Sequence, residues 1–167
     1  MRKGDIVEGV VIRTDFPNKG IVKVQDADVD CIVKGVLPGQ KVSIRITKKR
    51  SDKLEGQLLE VLEKASIETE PACHHFGVCG GCTYQGISYE NQLELKKDQM
   101  IRIFKPVITN ELKTNQEMYK DTVEDIDTYF DRIFEGIKGS PVQSEYRNKM
   151  EFSFGDGCKG GDLELGL

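Results

Sequence analysis

The sequence lacks any apolar run approaching the roughly 18 to 20 residues that cross a bilayer as a helix. No secretory leader is expected, because Met1-Arg-Lys-Gly-Asp5 runs into no apolar core of signal-peptide type. A cytoplasmic protein with no membrane partner is expected. Nor is there a surplus of positive charge: 24 Lys+Arg against 28 Asp+Glu give a formal net charge of −4, which argues at first sight against a polyanionic partner. The deficit is local, however. Residues 1–67 hold 13 Lys+Arg against 10 Asp+Glu, whereas residues 108–140 hold 4 against 8. Affinity for phosphates follows the local patch more than the total, so the mildly basic amino-terminal part can still meet them. Evenly paired cysteine is missing as well. Of five cysteines, three crowd into residues 73–82 while Cys31 and Cys158 lie far away; in a cytosolic protein that pattern favours metal ligation over disulfides.

At 167 residues the chain can form one ordinary domain or two small ones. Its first part reads as short strands between turn signals. Asp5–Arg13 is rich in β-branched residues, Asn18-Lys-Gly20 is a turn, and Ile21–Val24 alternates apolar with polar. Asp30–Lys34, the turn Leu37-Pro-Gly39, Lys41–Ile46 and Gly56–Leu62 complete about five strands. Five short strands suggest an OB-like barrel whose loops carry positive charge, Lys48, Lys49 and Arg50 among them. A polar exit ending at Pro71 places the domain boundary near residue 66, giving 1–66 as the barrel and 67–167 as a second, α+β domain. The fold class is therefore mainly β plus α.

Beyond the cysteines the periodicity turns helical. Ser88 can cap a helix in which Leu93, Met100, Ile103 and Phe104 recur at three- and four-residue spacing, and Pro106 is expected to stop it. A second amphipathic helix is expected from about 116 to 137, with Tyr119, Val123, Ile126, Phe130, Ile133, Phe134 and Ile137 on one face and Gly139 and Pro141 ending it. That stripe reads as core beneath a solvated acidic face. Alternation from Tyr146 to Phe154 predicts a strand, and Gly155-Asp-Gly-Cys158-Lys-Gly-Gly161 reads as a hairpin turn.

The block Cys73-His-His-Phe-Gly-Val-Cys79-Gly-Gly-Cys82 offers three soft thiolate ligands in C-x5-C-x2-C spacing. Its glycines allow backbone amides to turn toward a compact inorganic core. A 4Fe-4S cluster and a structural zinc ion each want four ligands, and only three thiols are gathered here. Zinc with His74 or His75 as the fourth ligand stays open, although a histidine one or two residues from Cys73 chelates under strain. Cys158 is a possible fourth thiol; Cys31, in a strand, reads as a small buried residue.

Two resemblances add to this reading. Lys3-Gly-Asp-Ile-Val-Glu-Gly9, Gly20-Ile-Val22 and Val36-Leu-Pro-Gly-Gln-Lys-Val42 resemble a TRAM domain, a small β-barrel found on RNA-modifying enzymes. The stretch Cys73–Gln85, then Tyr89, Gln92 and Lys96, and finally Ser140-Pro-Val-Gln-Ser-Glu-Tyr146-Arg-Asn-Lys149-Met-Glu-Phe-Ser-Phe-Gly155 resemble the RNA uracil-5-methyltransferase family, in its branch with a TRAM barrel and an iron–sulfur motif. The resemblance implies methyl transfer from S-adenosylmethionine to C5 of a uridine in rRNA or tRNA, with a cysteine adding to C6 of the base and a carboxylate later removing the C5 proton. It places those catalytic groups, the S-adenosylmethionine site and a fourth cluster ligand beyond Leu167. No catalytic residue is then expected in this chain, which would be an inactive amino-terminal fragment of an enzyme. Cys73, Cys79 and Cys82 are implied as ligands of a 4Fe-4S cluster, a site that in this chain, without the fourth ligand, can equally be empty or hold zinc.

For RNA contact the candidates are Tyr146, Arg147 and Lys149, and Lys48, Lys49 and Arg50: cations can hold phosphates and an aromatic ring can stack on an unpaired base. An ordinary solvated face accounts for either group equally well. A monomer is expected. Two other classes stay open, a stand-alone RNA-binding or zinc-binding module without enzymatic activity, and an iron–sulfur protein that passes electrons.

Overall fold

The computed structural model describes every residue except 26, 51–52, 79, 121–124, 147–148, 150, 157, 159 and 167. Packing divides the chain into two units, Met1–Ser66 with Leu93–Ile137, and Ile67–Gln92 with Lys138–Leu167.

In the first unit five strands close a barrel in the order β1-β2-β3-β5-β4: β1 (Ile6–Asp15), β2 (Lys19–Val24), β3 (Cys31–Lys34), β4 (Lys41–Lys49) and β5 (Leu54–Glu63). All pairs are antiparallel except β3 with β5, which run parallel with Ile32 opposite Glu55. The OB-like barrel expected from the sequence is thus present. Alternation explains which side chains enter it. Val11, Val22, Val24, Val33, Val42, Ile44, Ile46 and Leu54 are buried together with Cys31, at two-residue spacing along strands whose outward positions are mostly polar. Two close approaches in the wall require glycine: a Cβ on Gly56 would lie 2.9 Å from the Cys31 Sγ, and one on Gly20 would collide with a Val36 methyl group. Lys48 and Lys49, expected in a loop, instead extend β4, opposite Glu55 and Leu54. The ladder continues because Arg50 still donates its backbone N–H to the Lys53 carbonyl at 2.9 Å.

Helix α1 (Tyr89–Thr114) starts where the sequence indicates, since the Ser88 Oγ accepts the Asn91 N–H at 3.2 Å. It does not stop at Pro106. A mid-helix proline removes one hydrogen bond and crowds the preceding turn at a cost of about 3 kcal/mol. Here the helix is anchored on both sides of it, by the buried Gln99 before and the buried Leu112 after. The single long helix expected over 116–137 is also not formed. A short turn, α2 (Gln116–Tyr119), is followed by a separately capped α3 (Ile126–Ile133). Asp125 is extended and its carboxylate accepts the Thr128 N–H at 2.8 Å, so a fresh N-cap starts the helix there. The helix ends at Phe134, which is also extended, before the glycine and proline expected to end it are reached. Of the expected apolar face, Phe130 is fully buried and stacks on Phe134 with centroids 5.4 Å apart. Val123 lies outside the described residues.

The second unit contains the cysteine loop and a two-stranded hairpin, β6 (Ser153–Asp156) with β7 (Leu163–Gly166), Phe154 facing Leu165. The hairpin expected around Cys158 is there. Of the strand expected from Tyr146 to Phe154, Ser153 and Phe154 are in β6 and pair with β7, the described Tyr146, Lys149, Glu151 and Phe152 are outside it, and Arg147, Asn148 and Met150 lie outside the described residues.

Candidate functional site

The cysteine loop is built from consecutive tight turns. The Cys73 carbonyl accepts the Phe76 N–H at 3.0 Å and the His75 carbonyl accepts the Val78 N–H at 3.1 Å, while Gly77 takes a φ of +91° that a side chain would strain. The loop is closed below by one β-bridge between Glu68 and Ile87, with the Thr69 N–H on the Gly86 carbonyl at 2.8 Å. Gly86 is buried beneath the Phe76 ring, which a Cβ there would meet at 3.1 Å. Cys73 is half-buried and Cys82 exposed, both as free thiols. Cys79 lies outside the described residues. Among the described residues no three His, Cys, Asp or Glu side chains are gathered as a metal set. The donor set has the soft chemistry of an iron–sulfur or zinc site, and a succession of turns suits it, but three thiols leave a fourth position to be supplied. Cys158 sits in the β6–β7 turn, its carbonyl accepting the Gly161 N–H at 2.8 Å. The His74 and His75 rings touch at a tilt of 46°, with centroids 3.9 Å apart.

The basic candidates are distributed as follows. Arg50 pairs with Glu55 at 3.6 Å and the Lys49 Nζ donates to the Met1 carbonyl at 3.2 Å, while Lys48 is exposed in β4. All belong to the barrel. In the second unit Tyr146 is 66% exposed, and Lys149 meets Glu151 at 2.7 Å, which offsets its charge locally. Arg147 lies outside the described residues.

A further cationic cluster, absent from the sequence reading, lies wholly in the first unit. Where β1 ends, Asp15 takes two guanidinium groups, the Arg13 Nε at 3.1 Å and the Arg102 Nε of α1 at 3.2 Å. The neighbouring Thr14 carbonyl accepts the Gln99 Nε2 at 3.2 Å and the Arg102 Nη2 at 3.4 Å. Arg13, Asp15, Gln99 and Arg102, with Phe16 and Ile103, line a cleft of about 510 Å³. The Phe16 ring is 57% exposed at its mouth. Arg13 and Arg102 are too distant in sequence for any local pattern to have joined them.

No protein-family model matches the chain. Curated relatives do. A protein of Clostridium tetani is 42% identical over 167 residues, taking in 100% of this chain and 32% of the relative. One of Clostridium acetobutylicum is 38% identical over the same span, again 100% of this chain and 32% of the relative, and one of Caldanaerobacter subterraneus is 36% identical over 160 residues, 96% of this chain and 31% of the relative. Each is described as an uncharacterized RNA methyltransferase. The chain is homologous to proteins named RNA methyltransferases. It spans about a third of the length of the curated relatives it matches. In two of these three RNA methyltransferase relatives the match takes in every residue from the barrel through the cysteine loop to the hairpin. Among the described residues no helix is long and apolar enough to cross a membrane.

Proposed function

We propose that these residues serve as the RNA-recognition and cluster-bearing region of an S-adenosylmethionine-dependent RNA (uracil-5-)-methyltransferase acting on rRNA or tRNA. The observation that carries the reading is identity of 36–42% to RNA methyltransferases across the whole of this chain or nearly so. A closed five-stranded barrel of the kind that binds nucleic acids supports it, as does the TRAM-like sequence along that barrel. The uracil-5 branch is supported by the cysteine spacing and by the block from Ser140 to Gly155. Methyl transfer itself is assigned to a domain these residues do not include.

In this reading Cys73, Cys79 and Cys82 would hold a 4Fe-4S cluster, with the fourth ligand supplied from outside the three. When bound, the cluster ties the loop into one fold; no reaction step is assigned to it. Its surroundings already do part of that work. The turns at Cys73 and His75 shorten the loop, and the Phe76 ring seated on Gly86 fixes it to the β-bridge beneath.

The recognition role is tested by fluorescence anisotropy of the chain with a labelled single-stranded RNA across a salt series. Saturable binding that weakens with salt is expected, and no binding at low salt would sink it. For the chemistry, a full-length protein carrying this region should release tritium from RNA labelled at uridine C5 when S-adenosylmethionine is added; methylation without release overturns the uracil-5 assignment. That full-length protein, purified without oxygen, should contain iron and sulfide together, and zinc alone would replace the cluster with a structural metal site.

A further inference from the structure

The Arg13–Asp15–Arg102 cluster stands beside the exposed aromatic ring of Phe16 within one cleft. We infer that the cleft lined by Arg13, Phe16, Arg102 and Ile103 is a subsite for one nucleotide of single-stranded RNA, the base stacking on Phe16 and the phosphate held by the guanidinium groups. The inference rests on the RNA-recognition reading above and goes beyond it by naming the site.

Charge and geometry support it together. Two guanidiniums share a single carboxylate, so the cluster keeps one net positive charge. Arg13 engages Asp15 through Nε alone, which leaves its two amino nitrogens without a protein partner among the described residues. Asp15 acts as a clamp: by holding both Nε atoms it fixes the planes of the two guanidiniums beforehand, and preorganised forks are what recognise phosphate oxygens in pairs. Phe16 follows immediately and keeps more than half of its surface in solvent, although an apolar ring gains by burial. A flat ring beside paired guanidiniums suits a base and its phosphate better than an acidic peptide, which would use the cations and leave the ring bare.

The test measures binding of a fluorescein-labelled uridine-rich 12-mer RNA to the 167-residue chain, with circular dichroism melts as the control for folding. Phe16→Ala is expected to weaken binding by roughly tenfold, the order of one lost base–aromatic stack. Phe16→Leu keeps the apolar bulk without the flat ring and should weaken it similarly, while Phe16→Tyr should bind as the unaltered chain does. Arg13→Gln should reduce the slope of log affinity against log salt by about one, the signature of one phosphate contact. If the unaltered chain binds RNA and these variants bind equally well, the subsite is overturned and the recognition reading stands. If the unaltered chain binds no RNA, both fall. Displacement of the RNA by a glutamate-rich peptide, with Phe16→Ala leaving the peptide's affinity unchanged, would reassign the cleft to an acidic protein segment.

Discussion

The Gln99 side chain of α1 donates from Nε2 to the Thr14 carbonyl oxygen of β1 at 3.2 Å, across 85 residues of sequence, and is buried in doing so. The threonine is itself buried, its hydroxyl donating to the Val36 carbonyl at 3.2 Å. Helix and barrel are therefore joined through a polar contact sealed from water, where an unmade hydrogen bond costs more than a made one gains. Gln99→Leu keeps the volume and removes the donor. Arg102 retains a longer contact to the same carbonyl, so the expected loss is about 1 kcal/mol, read from urea unfolding. Unchanged stability would show that the contact does not hold the helix.

Pro106 is the next position to alter. It lies inside α1 with helix continuing on both sides, so Pro106→Ala should restore the missing hydrogen bond and raise stability. The gain is expected to be about 1–2 kcal/mol, less than the roughly 3 kcal/mol cost of an interior proline because alanine leaves the unfolded chain freer. A melting temperature that falls would mean that the proline itself is required by the packing of Gln99 and Leu112.

Gly56 lies opposite Val33 in the parallel β3–β5 pair and comes close to the Cys31 sulfur. With a Cβ on Gly56 placed 2.9 Å from the sulfur, Gly56→Ala should cost about 1–3 kcal/mol as an overpacked core. The same change in a Cys31→Ala background should cost distinctly less, since the sulfur that obstructs it is gone. Equal costs in the two backgrounds would locate the strain elsewhere, against Val33 or the Arg45 carbonyl.

Cys31 also sets a pH dependence. Burial, reinforced by the nearby Glu55 carboxylate, pushes its thiol up from 9.0 to about 11. The folded state thus favours the protonated thiol, and the stability this supplies is present below pH 9 and lost as pH rises toward 11. Unfolding titrations should show that Cys31→Ala loses less stability over that window than the unaltered chain. In the folded protein at pH 8 a maleimide should label the exposed Cys158 and spare the buried Cys31. Rapid labelling of Cys31 would mean that the barrel opens readily.

The strands of the barrel were legible because their signals are local: β-branched runs in β1 and β2, and the Pro38-Gly39 turn before β4. The β3–β5 pairing was not, since parallel register is set by closure and leaves no trace in either strand. At Pro106 a local rule was overruled by anchors on both sides of it. At Asp125 the reverse occurred, a local cap prevailing over an apolar stripe that runs on for several turns. Tyr146, Lys149, Glu151 and Phe152 belong to a stretch that alternates as a strand should and yet lie outside β6, because alternation predicts a face and not a neighbour. Of the candidate site, the cysteines are visible in their spacing, whereas the Arg13–Arg102 cluster exists only once α1 reaches the end of β1.

The position of β5 governs when this barrel can come into being. It is hydrogen-bonded along both edges, to β3 on one side and β4 on the other, so nothing earlier in the chain can close the ring. During synthesis, β1 to β4 leave the ribosome as an open sheet with two unsatisfied margins. They stay so until residue Glu63 has emerged. An open margin of this kind invites pairing with another chain, so a nascent protein stalled before Leu54 would be the form most exposed to aggregation and most in need of a chaperone.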